Sequence, residues 1–253
     1  MRIFLLPPDF CGQETLTLSG SDCNYIVNVL RLKEGREITG RDASGKTWLL
    51  TLTKIRKGSC TLSVREVSET PQTTDTLPEN RPSREIILYQ CLPKGRKIDE
   101  IIKRATEMGV RAIVPVRSRN CIAEANENRT TRYMAMVKEA VQQSGSLVPT
   151  EVTAPVDIKD VPLNFKNTYC GEKGFFFHQN RLTETQRNLL QALQGTAGPY
   201  AVIIGPEGGF TDEECELLMA GGFEPILLKT NILRCETAAL YAVAALQTIS
   251  ESL

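Results

Sequence analysis

The chain has 253 residues, 41% of them hydrophobic and 24% charged, and its net charge is zero. This composition is typical of a globular protein that buries one large core or two modest ones, and it excludes a disordered or fibrous chain. The apolar start of the chain meets Pro7-Pro8 too soon for a signal segment, and no apolar run is long enough to cross a membrane. We therefore expect a soluble, cytoplasmic protein.

The cysteines indicate neither a metal site nor a disulfide framework. Eight cysteines are spread along the chain without a Cys-x-x-Cys pair, and His178 is the only histidine. A structural zinc site needs clustered ligands, which this spacing does not supply. We therefore expect no metal, and reduced thiols as in the cytoplasm.

The neutral total conceals an uneven distribution of charge. Residues 81–150 carry thirteen basic and seven acidic side chains, whereas residues 151–253 carry seven basic and thirteen acidic ones. A basic segment within a neutral protein indicates a surface that faces a polyanion such as RNA. A solvated charged face is the alternative explanation.

Short strand-like runs separated by turn signals dominate residues 1–70, and this pattern favours a small β-barrel or sandwich. The predicted strands are Arg2–Leu6, Glu14–Leu18, Arg36–Gly40, Trp48–Ile55 and Cys60–Val67. One amphipathic helix over Ser21–Leu32 interrupts them, and Gly35 supplies the stop expected just beyond a helix.

Residues 71–84 are rich in proline, threonine and charge, which predicts a linker. Residues 85–253 then alternate between strand and helix, as in a mostly parallel sheet with helices on both faces. The predicted strands are Glu85–Leu92, Ala112–Val116, Asn167–Cys170, Phe175–Phe177, Ala201–Ile204 and Pro225–Leu228. The predicted helices are Lys97–Met108, Thr130–Gln143, Thr183–Leu193, Thr211–Ala220 and Thr237–Ser250.

A glycine-rich loop at residues 205–209, Gly-Pro-Glu-Gly-Gly, joins a buried strand to a helix that starts at Thr211. Glycine lets main-chain groups approach a ligand closely, and ligands of open α/β sheets bind outside the carboxyl ends of the strands. The loop therefore predicts a ligand site, with a tight turn that binds nothing as the alternative.

The helix after this loop begins with a capping box and an acidic first turn, Asp212-Glu213-Glu214. Carboxylates at the amino end of a helix repel phosphate, which disfavours a dinucleotide. A cofactor with an adenosine and a positive centre, such as S-adenosylmethionine, suits Glu207 better. Capping of a neighbouring loop or pairing with an arginine is an equal alternative for Glu207.

Two C-terminal motifs are highly specific: Ile-Gly-Pro-Glu-Gly-Gly-Phe at 204–210 and Ile-Leu-Arg-x-Glu-Thr-Ala at 232–238. They closely resemble the signature loops of the RsmE family of ribosomal RNA methyltransferases, in the SPOUT superfamily. Weaker matches extend this resemblance over nearly the whole chain: Arg2, Val29-Leu30-Arg31 with Gly35, Lys94-Gly95, Glu107-Met108-Gly109-Val110, Gln143-Ser144 and His178.

The resemblance implies an α/β fold with two domains. A PUA-like β-barrel at 1–70 helps to dock RNA, and a SPOUT-type α/β domain with a trefoil knot occupies 85–253. It also implies a homodimer in which the neighbouring subunit contributes to the active site. The final helix is apolar almost all the way round, which fits either a dimer interface or burial within its own domain.

The implied activity is methylation of N3 of one uridine in 16S ribosomal RNA by S-adenosylmethionine. The substrate is either the naked RNA or the assembled small ribosomal subunit. By matching position, the expected cofactor-binding residues are Ile204, Gly205, Pro206, Glu207, Gly208, Gly209, Leu228, Lys229, Ile232, Leu233, Thr237 and Ala238.

Methyl transfer from a sulfonium requires an oriented nucleophile and a stabilised N3 anion, and it does not require a metal. Arg234, between the cofactor loop and the last helix, is the candidate catalytic cation. Its alternative role is an ion pair with Glu207 or Glu236. No general base is evident, since a lone histidine such as His178 is more often a structural group.

The candidate RNA contacts combine the basic segment with the resemblance, because phosphates attract lysine and arginine. The expected RNA-binding residues are Arg2, Arg31, Lys94, Arg96, Lys97, Arg117 and Arg119. Tyr25, Gln142 and Ser146 stand where many family members have histidine, glutamate and arginine, so the details of the RNA contact differ from the family pattern.

Two other functions stay open at this point. One is a SPOUT enzyme that methylates a ribose 2′-oxygen. The other is a catalytically idle RNA-binding ribosome assembly factor, which would be marked by a damaged cofactor loop, whereas the loop of this chain is intact.

Overall fold

The computed structural model describes residues 3–67, 84–122, 130–146, 148, 150–171, 173–184, 186–195, 198–228 and 230–252. These residues divide into two compact units. The first contains the described residues up to Glu79 together with Gln142–Gly145, and the second contains the rest. Except for Arg84, the predicted linker at 71–84 lies outside the described residues.

The first unit is a five-stranded sheet that curls around one apolar core. Its strands are β1 (Ile3–Leu5), β2 (Thr15–Ser19), β3 (Glu37–Arg41), β4 (Thr47–Arg56) and β5 (Ser59–Glu66), in the order β1-β3-β4-β5-β2. Strands β1 and β3 are parallel and the other pairs are antiparallel. Alternate residues of β2, β4 and β5 point into the core, as the period of two in a strand requires. The strands predicted in residues 1–70 are confirmed within about a residue at each described end.

The helical segment of this unit is shorter than predicted. Helix α1 (Gly20–Asn24) continues as a π-helical turn at Tyr25–Val29, and the chain then leaves the helix, so the expected end at Leu32 is wrong. The left-handed residue that ends the helical segment is Arg31, with φ 54°, rather than Gly35. Gly35 instead lies within the turn at 33–36 that precedes β3, and its N–H donates to the carbonyl of Leu52 at 2.7 Å.

The second unit is built on a seven-stranded sheet in which every pair is parallel. The strands are β6 (Ile86–Cys91), β7 (Ala112–Arg117), β8 (Glu151–Val152), β9 (Val156–Asp157), β10 (Lys173–His178), β11 (Tyr200–Ile204) and β12 (Phe223–Leu227). Their order is β12-β10-β11-β6-β7-β8, and β9 also pairs with β7. Strands β6 and β11 are buried along their whole length, because helices cover both faces of the sheet.

The described part of residues 84–252 contains a 3-10 helix at Ile158–Asp160 and six α-helices: α2 (Lys97–Glu107), α3 (Thr130–Ser144), α4 (Val161–Tyr169), α5 (Leu189–Leu193), α6 (Asp212–Ala220) and α7 (Cys235–Glu251). Helices α2, α3, α5 and α7 contribute to the core on one face of the sheet, and α4 and α6 contribute to the core on the other. The predicted parallel α/β arrangement is therefore confirmed.

Two predicted elements of this unit are wrong. Asn167–Cys170 is the end of α4 and the residue after it, not a strand, because Val161, Phe165 and Tyr169 form one buried helical face. Of the predicted helix Thr183–Leu193, only Leu189–Leu193 forms, with Asn188 as its capping-box residue. Strands β8 and β9 were not predicted, since two residues are too few to show a period.

Helix α7 is buried on one side only. Ala239, Ala242, Val243 and Leu246 are fully buried, whereas Tyr241 on the opposite side is 46% exposed. In the described ranges, every helix is too short or too polar to traverse a lipid bilayer.

Candidate cofactor site

The carboxyl ends of β10, β11 and β12 open into a cavity of about 570 Å³. The cavity is lined by residues 177–180, 204–210, 228 and 230–235, together with Lys97 of α2 and Ala238 of α7. Since the three strands are neighbours and parallel, their carboxyl ends meet at one edge of the sheet, where ligands of such folds bind. The two signature motifs therefore share one cavity.

Most of the predicted cofactor residues line this cavity: Ile204, Gly205, Pro206, Glu207, Gly208, Gly209, Leu228, Ile232, Leu233 and Ala238. Lys229 lies outside the described residues. Thr237 is exposed on the first turn of α7 and is not part of the lining.

The structure adds lining residues that the sequence did not indicate, namely Phe177, Gln179, Asn180, Thr230 and Asn231. Phe177 is near the end of β10, and Gln179 and Asn180 follow that strand, which lies between β11 and β12 in the sheet. Ligands of such folds bind at the carboxyl ends of adjacent strands, so these residues could be predicted only if the strand order were known.

Internal contacts of the loop explain two of its glycines. Gly209 has φ 68°, a left-handed conformation that favours glycine, and its N–H donates to the carbonyl of Pro206 at 2.9 Å. A Cβ on Gly208 would lie 3.0 Å from the Cβ of Asn120. Asn120 in turn donates from Nδ2 to the carbonyls of Gly208 and Gly209.

Glu207 caps a neighbouring loop, as one of its alternatives predicted, and its cation partner among the described residues is a lysine, not an arginine. Its carboxylate accepts from Lys97 Nζ at 2.7 Å and from the Lys94 N–H at 3.1 Å. Burial raises the pKa of Glu207, but the hydrogen bonds from Lys97 and the main chain outweigh burial and lower that pKa below its usual value. Lys97, which also lies 4.0 Å from Glu236, is thus engaged by carboxylates.

The capping box at the start of α6 is confirmed. The Thr211 side chain accepts from the Glu214 N–H, and Glu214 accepts from the Thr211 N–H at 3.0 Å. Glu214 is only 7% exposed, and its other oxygen accepts from the Arg119 N–H at 2.8 Å. The buried carboxylate therefore joins α6 to the segment that follows β7.

Arg234 is the N-cap residue of α7, where it is exposed and lines the cavity. Within the described residues no ion pair links it to a carboxylate, and the cation that pairs with Glu207 is Lys97. The alternative in which Arg234 pairs with Glu207 is therefore wrong. The charge of Arg234 does act on Glu236, although no ion pair joins the two: burial raises the pKa of Glu236, and hydrogen bonds together with the charges of Lys97 and Arg234 lower it.

His178 is held by its own loop. Its Nδ1 lies 3.1 Å from the carbonyl oxygen and 3.2 Å from the amide nitrogen of Asn180. These main-chain contacts agree with the structural role. In the described part of the chain, His, Cys, Asp and Glu side chains form no group of three that could hold a metal ion.

The predicted RNA-binding residues differ in how free their charges are. Lys94, Arg96 and Arg119 are exposed and belong to the segments that contact or neighbour the cofactor loop. Arg117 lies 3.6 Å from Asp157 and is therefore partly neutralised. Arg31 lies in the first unit, and Arg2 lies outside the described residues.

Comparison with known proteins agrees with the two signature motifs. Residues 79–247 match the model of an RNA methyltransferase domain, and residues 18–65 match an RNA methyltransferase PUA domain. The chain is 29% identical over 251 residues to ribosomal RNA small subunit methyltransferase E of a Synechocystis strain, covering 98% of this chain and 78% of that protein. It is 32% identical over 186 residues to the protein of the same name from Aquifex aeolicus, covering 72% and 76%.

A solved structure extends the agreement to the fold. The crystal structure of ribosomal RNA small subunit methyltransferase E from Neisseria gonorrhoeae, bound to S-adenosyl methionine, superposes with a TM-score of 0.81. The two chains are 28% identical, and the match covers 98% of each. The chain therefore belongs to the RsmE family, the ribosomal RNA small subunit methyltransferases E.

Proposed function

We propose that this protein transfers the methyl group of S-adenosylmethionine to N3 of a specific uridine in 16S ribosomal RNA. The observation that carries the proposal is that residues of both signature loops line the same cavity. Its volume of about 570 Å³ falls in the range of small-molecule sites. A family relative holds S-adenosyl methionine, as stated above.

The walls of the cavity suit an adenosyl group and an amino acid. Ile204, Leu228 and Ala238 supply apolar surface, and the loop at 205–209 supplies main-chain donors and acceptors. Glu207 does not present a free carboxylate, because Lys97 neutralises it. Discrimination against phosphate is thus better assigned to Asp212 and Glu213 in the first turn of α6.

When bound, S-adenosylmethionine supplies an electrophilic methyl group on a sulfonium. In this proposal Arg234, which lines the cavity, donates hydrogen bonds to the uracil carbonyls that flank N3 and so favours the deprotonated nucleophile. Its position at the N-cap of α7 adds the positive end of a 17-residue helix. The absence of an ion pair to a described carboxylate leaves the guanidinium available for this role.

Phosphate contacts are best assigned to Lys94, Arg96 and Arg119. None of these side chains forms an ion pair with a described residue, and all three are exposed. Lys97 and Arg117 fit this role less well because carboxylates already pair with them. Arg31 has the left-handed φ of 54°, a conformation that is costly for a residue with a side chain and is common at functional positions.

A homodimer agrees with the exposed side of α7. Tyr241 is 46% exposed there, and Ile232 in the cavity-lining loop is 83% exposed. A two-fold dimer would bury the same surface on both subunits and so remove these apolar side chains from water. The trefoil knot, the cytoplasmic location and the choice between naked RNA and the assembled subunit rest on the family alone.

The activity is tested by mass spectrometry of ribosomal RNA nucleosides from a deletion strain. Loss of N3-methyluridine, restored by the wild-type gene, is the expected result. Loss of a 2′-O-methyl nucleoside would support the ribose methyltransferase instead. An unchanged nucleoside profile would support the idle assembly factor and contradict the proposal.

The role of Arg234 is tested by Arg234→Ala in a purified assay. We expect kcat to fall by about 10²- to 10³-fold, because a donor to the developing oxyanion is lost. Cofactor affinity should stay close to that of the wild type. Arg181→Ala is the matched control, since Arg181 is exposed next to the lining residue Asn180 but does not line the cavity. An unchanged kcat for Arg234→Ala would remove Arg234 from the mechanism.

A further inference from the structure

A short turn after β7 holds the cofactor loop from the side. The turn spans residues 118–121 and is closed by the Cys121 N–H, which donates to the carbonyl of Ser118 at 3.1 Å. From this turn Asn120 Nδ2 donates to the carbonyl of Gly208 at 3.2 Å and to that of Gly209 at 3.1 Å. One amide group therefore binds two successive peptide groups of the loop.

The turn is itself fixed, so Asn120 is not a loose side chain. The buried carboxylate of Glu214 accepts from the Arg119 N–H at 2.8 Å and from the Thr211 N–H at 3.0 Å. Hydrogen bonds to a charged acceptor are among the stronger ones in proteins. The start of α6 and the glycine loop before it are thus attached to the same turn, at Arg119 and Asn120.

The two glycines give this contact its importance. Glycine peptides rotate more freely than others, and the loop has Gly208 and Gly209 in succession. Asn120 is not needed merely to satisfy their carbonyls, because Gly208 and Gly209 are not buried and water could donate hydrogen bonds to them instead. The amide fixes the direction of both carbonyls, and therefore of the N–H groups on the same peptide planes.

We propose that Asn120 is a positioning residue for the cofactor, which orients the peptides of Gly208 and Gly209 before S-adenosylmethionine binds. This inference rests on the proposed function of the cavity. A loop that is already in its binding conformation loses less conformational entropy on binding. The effect of Asn120 therefore falls on cofactor affinity rather than on the chemical step.

The test compares Asn120→Ala with Asn120→Asp by calorimetry of S-adenosylmethionine binding. Alanine removes both donors, and we expect the Kd to rise about tenfold. Aspartate keeps the size of the side chain but places an acceptor opposite two carbonyl oxygens, so its Kd should rise further, to about 100-fold or more. Asn167→Asp is the control, because Asn167 is an exposed asparagine of α4 that does not line the cavity.

Three further measurements separate positioning from general stability. The KM for the cofactor should rise while kcat at saturating cofactor stays near the wild-type value, and the melting temperature should not change. Hydrogen exchange at the amides of residues 207–210 should become faster in Asn120→Ala, which keeps the test valid if the aspartate variant does not fold.

The outcomes are distinguishable. If Asn120→Asp binds better than Asn120→Ala, or if both bind like the wild type, Asn120 only fills space and the inference is overturned. If the wild-type protein itself does not bind S-adenosylmethionine, the proposed function fails first, and the inference fails with it.

Discussion

Replacing Gly208 by alanine tests whether cofactor binding requires the backbone conformation that the structure shows for residues 205–209. The new Cβ would lie 3.0 Å from the Cβ of Asn120, and 3.4 and 3.5 Å from its Cγ and Nδ2. The first distance is a few tenths of an ångström too short, so the loop must move away from the turn that holds it. Overpacking of this kind costs about 1–3 kcal/mol.

That cost falls on the conformation that binds the cofactor, so it should appear in affinity. At about 1.4 kcal/mol for each factor of ten, the Kd for S-adenosylmethionine should rise about 5- to 150-fold. Gly208→Val adds two more methyl groups at the same place and should abolish measurable binding.

Isothermal calorimetry measures this effect, and Arg181→Ala is the control, because Arg181 is exposed and does not line the cavity. Arg181→Ala should therefore bind S-adenosylmethionine as well as the wild type. If Gly208→Ala binds as tightly as Arg181→Ala, the placement of the cofactor against this loop is refuted.

Three further predictions follow from other contacts. Gly174→Ala places a Cβ 2.6 Å from the ring of Phe223 on β12. In calorimetry the free energy of unfolding should fall by about 1–3 kcal/mol and the melting temperature by roughly 2–12 °C. An unchanged melting temperature would contradict this core packing. Lys97→Met removes the cation that lowers the pKa of Glu207, so that pKa should rise. Cofactor affinity measured across the acidic range should therefore begin to fall at a higher pH than in the wild type. Identical pH profiles for the two proteins would count against this ion pair. The hydrogen bond from the Cys91 thiol is the largest of the effects that bring the pKa of Cys121 to about 6. The rate of Cys121 alkylation, measured by mass spectrometry, should therefore rise with pH through about 6 and level off near neutrality. A rate that still increases in the alkaline range would disprove the lowered pKa.

Local patterns predicted the elements that local forces stabilise. The predicted strand Trp48–Ile55 forms as Thr47–Arg56, because alternate residues have one buried face to fill. The helix after the glycine loop begins at its predicted capping box for the same kind of reason, since the partners are three residues apart. By contrast, the predicted strand at Asn167–Cys170 is wrong, although Phe165 and Tyr169 already have the four-residue spacing of a buried helical face in the sequence.

The sequence by itself determined the chemistry of the cofactor loop, because glycines, a proline and a capping box act within a few residues of each other. The partners of that loop were decided by the tertiary structure alone. Lys97 binds Glu207 across 110 positions, and Asn120 binds Gly208 across 88. These contacts exist because the strand order β12-β10-β11-β6-β7 brings the carboxyl ends of distant strands to one edge of the sheet, and no local pattern in the chain encodes that order.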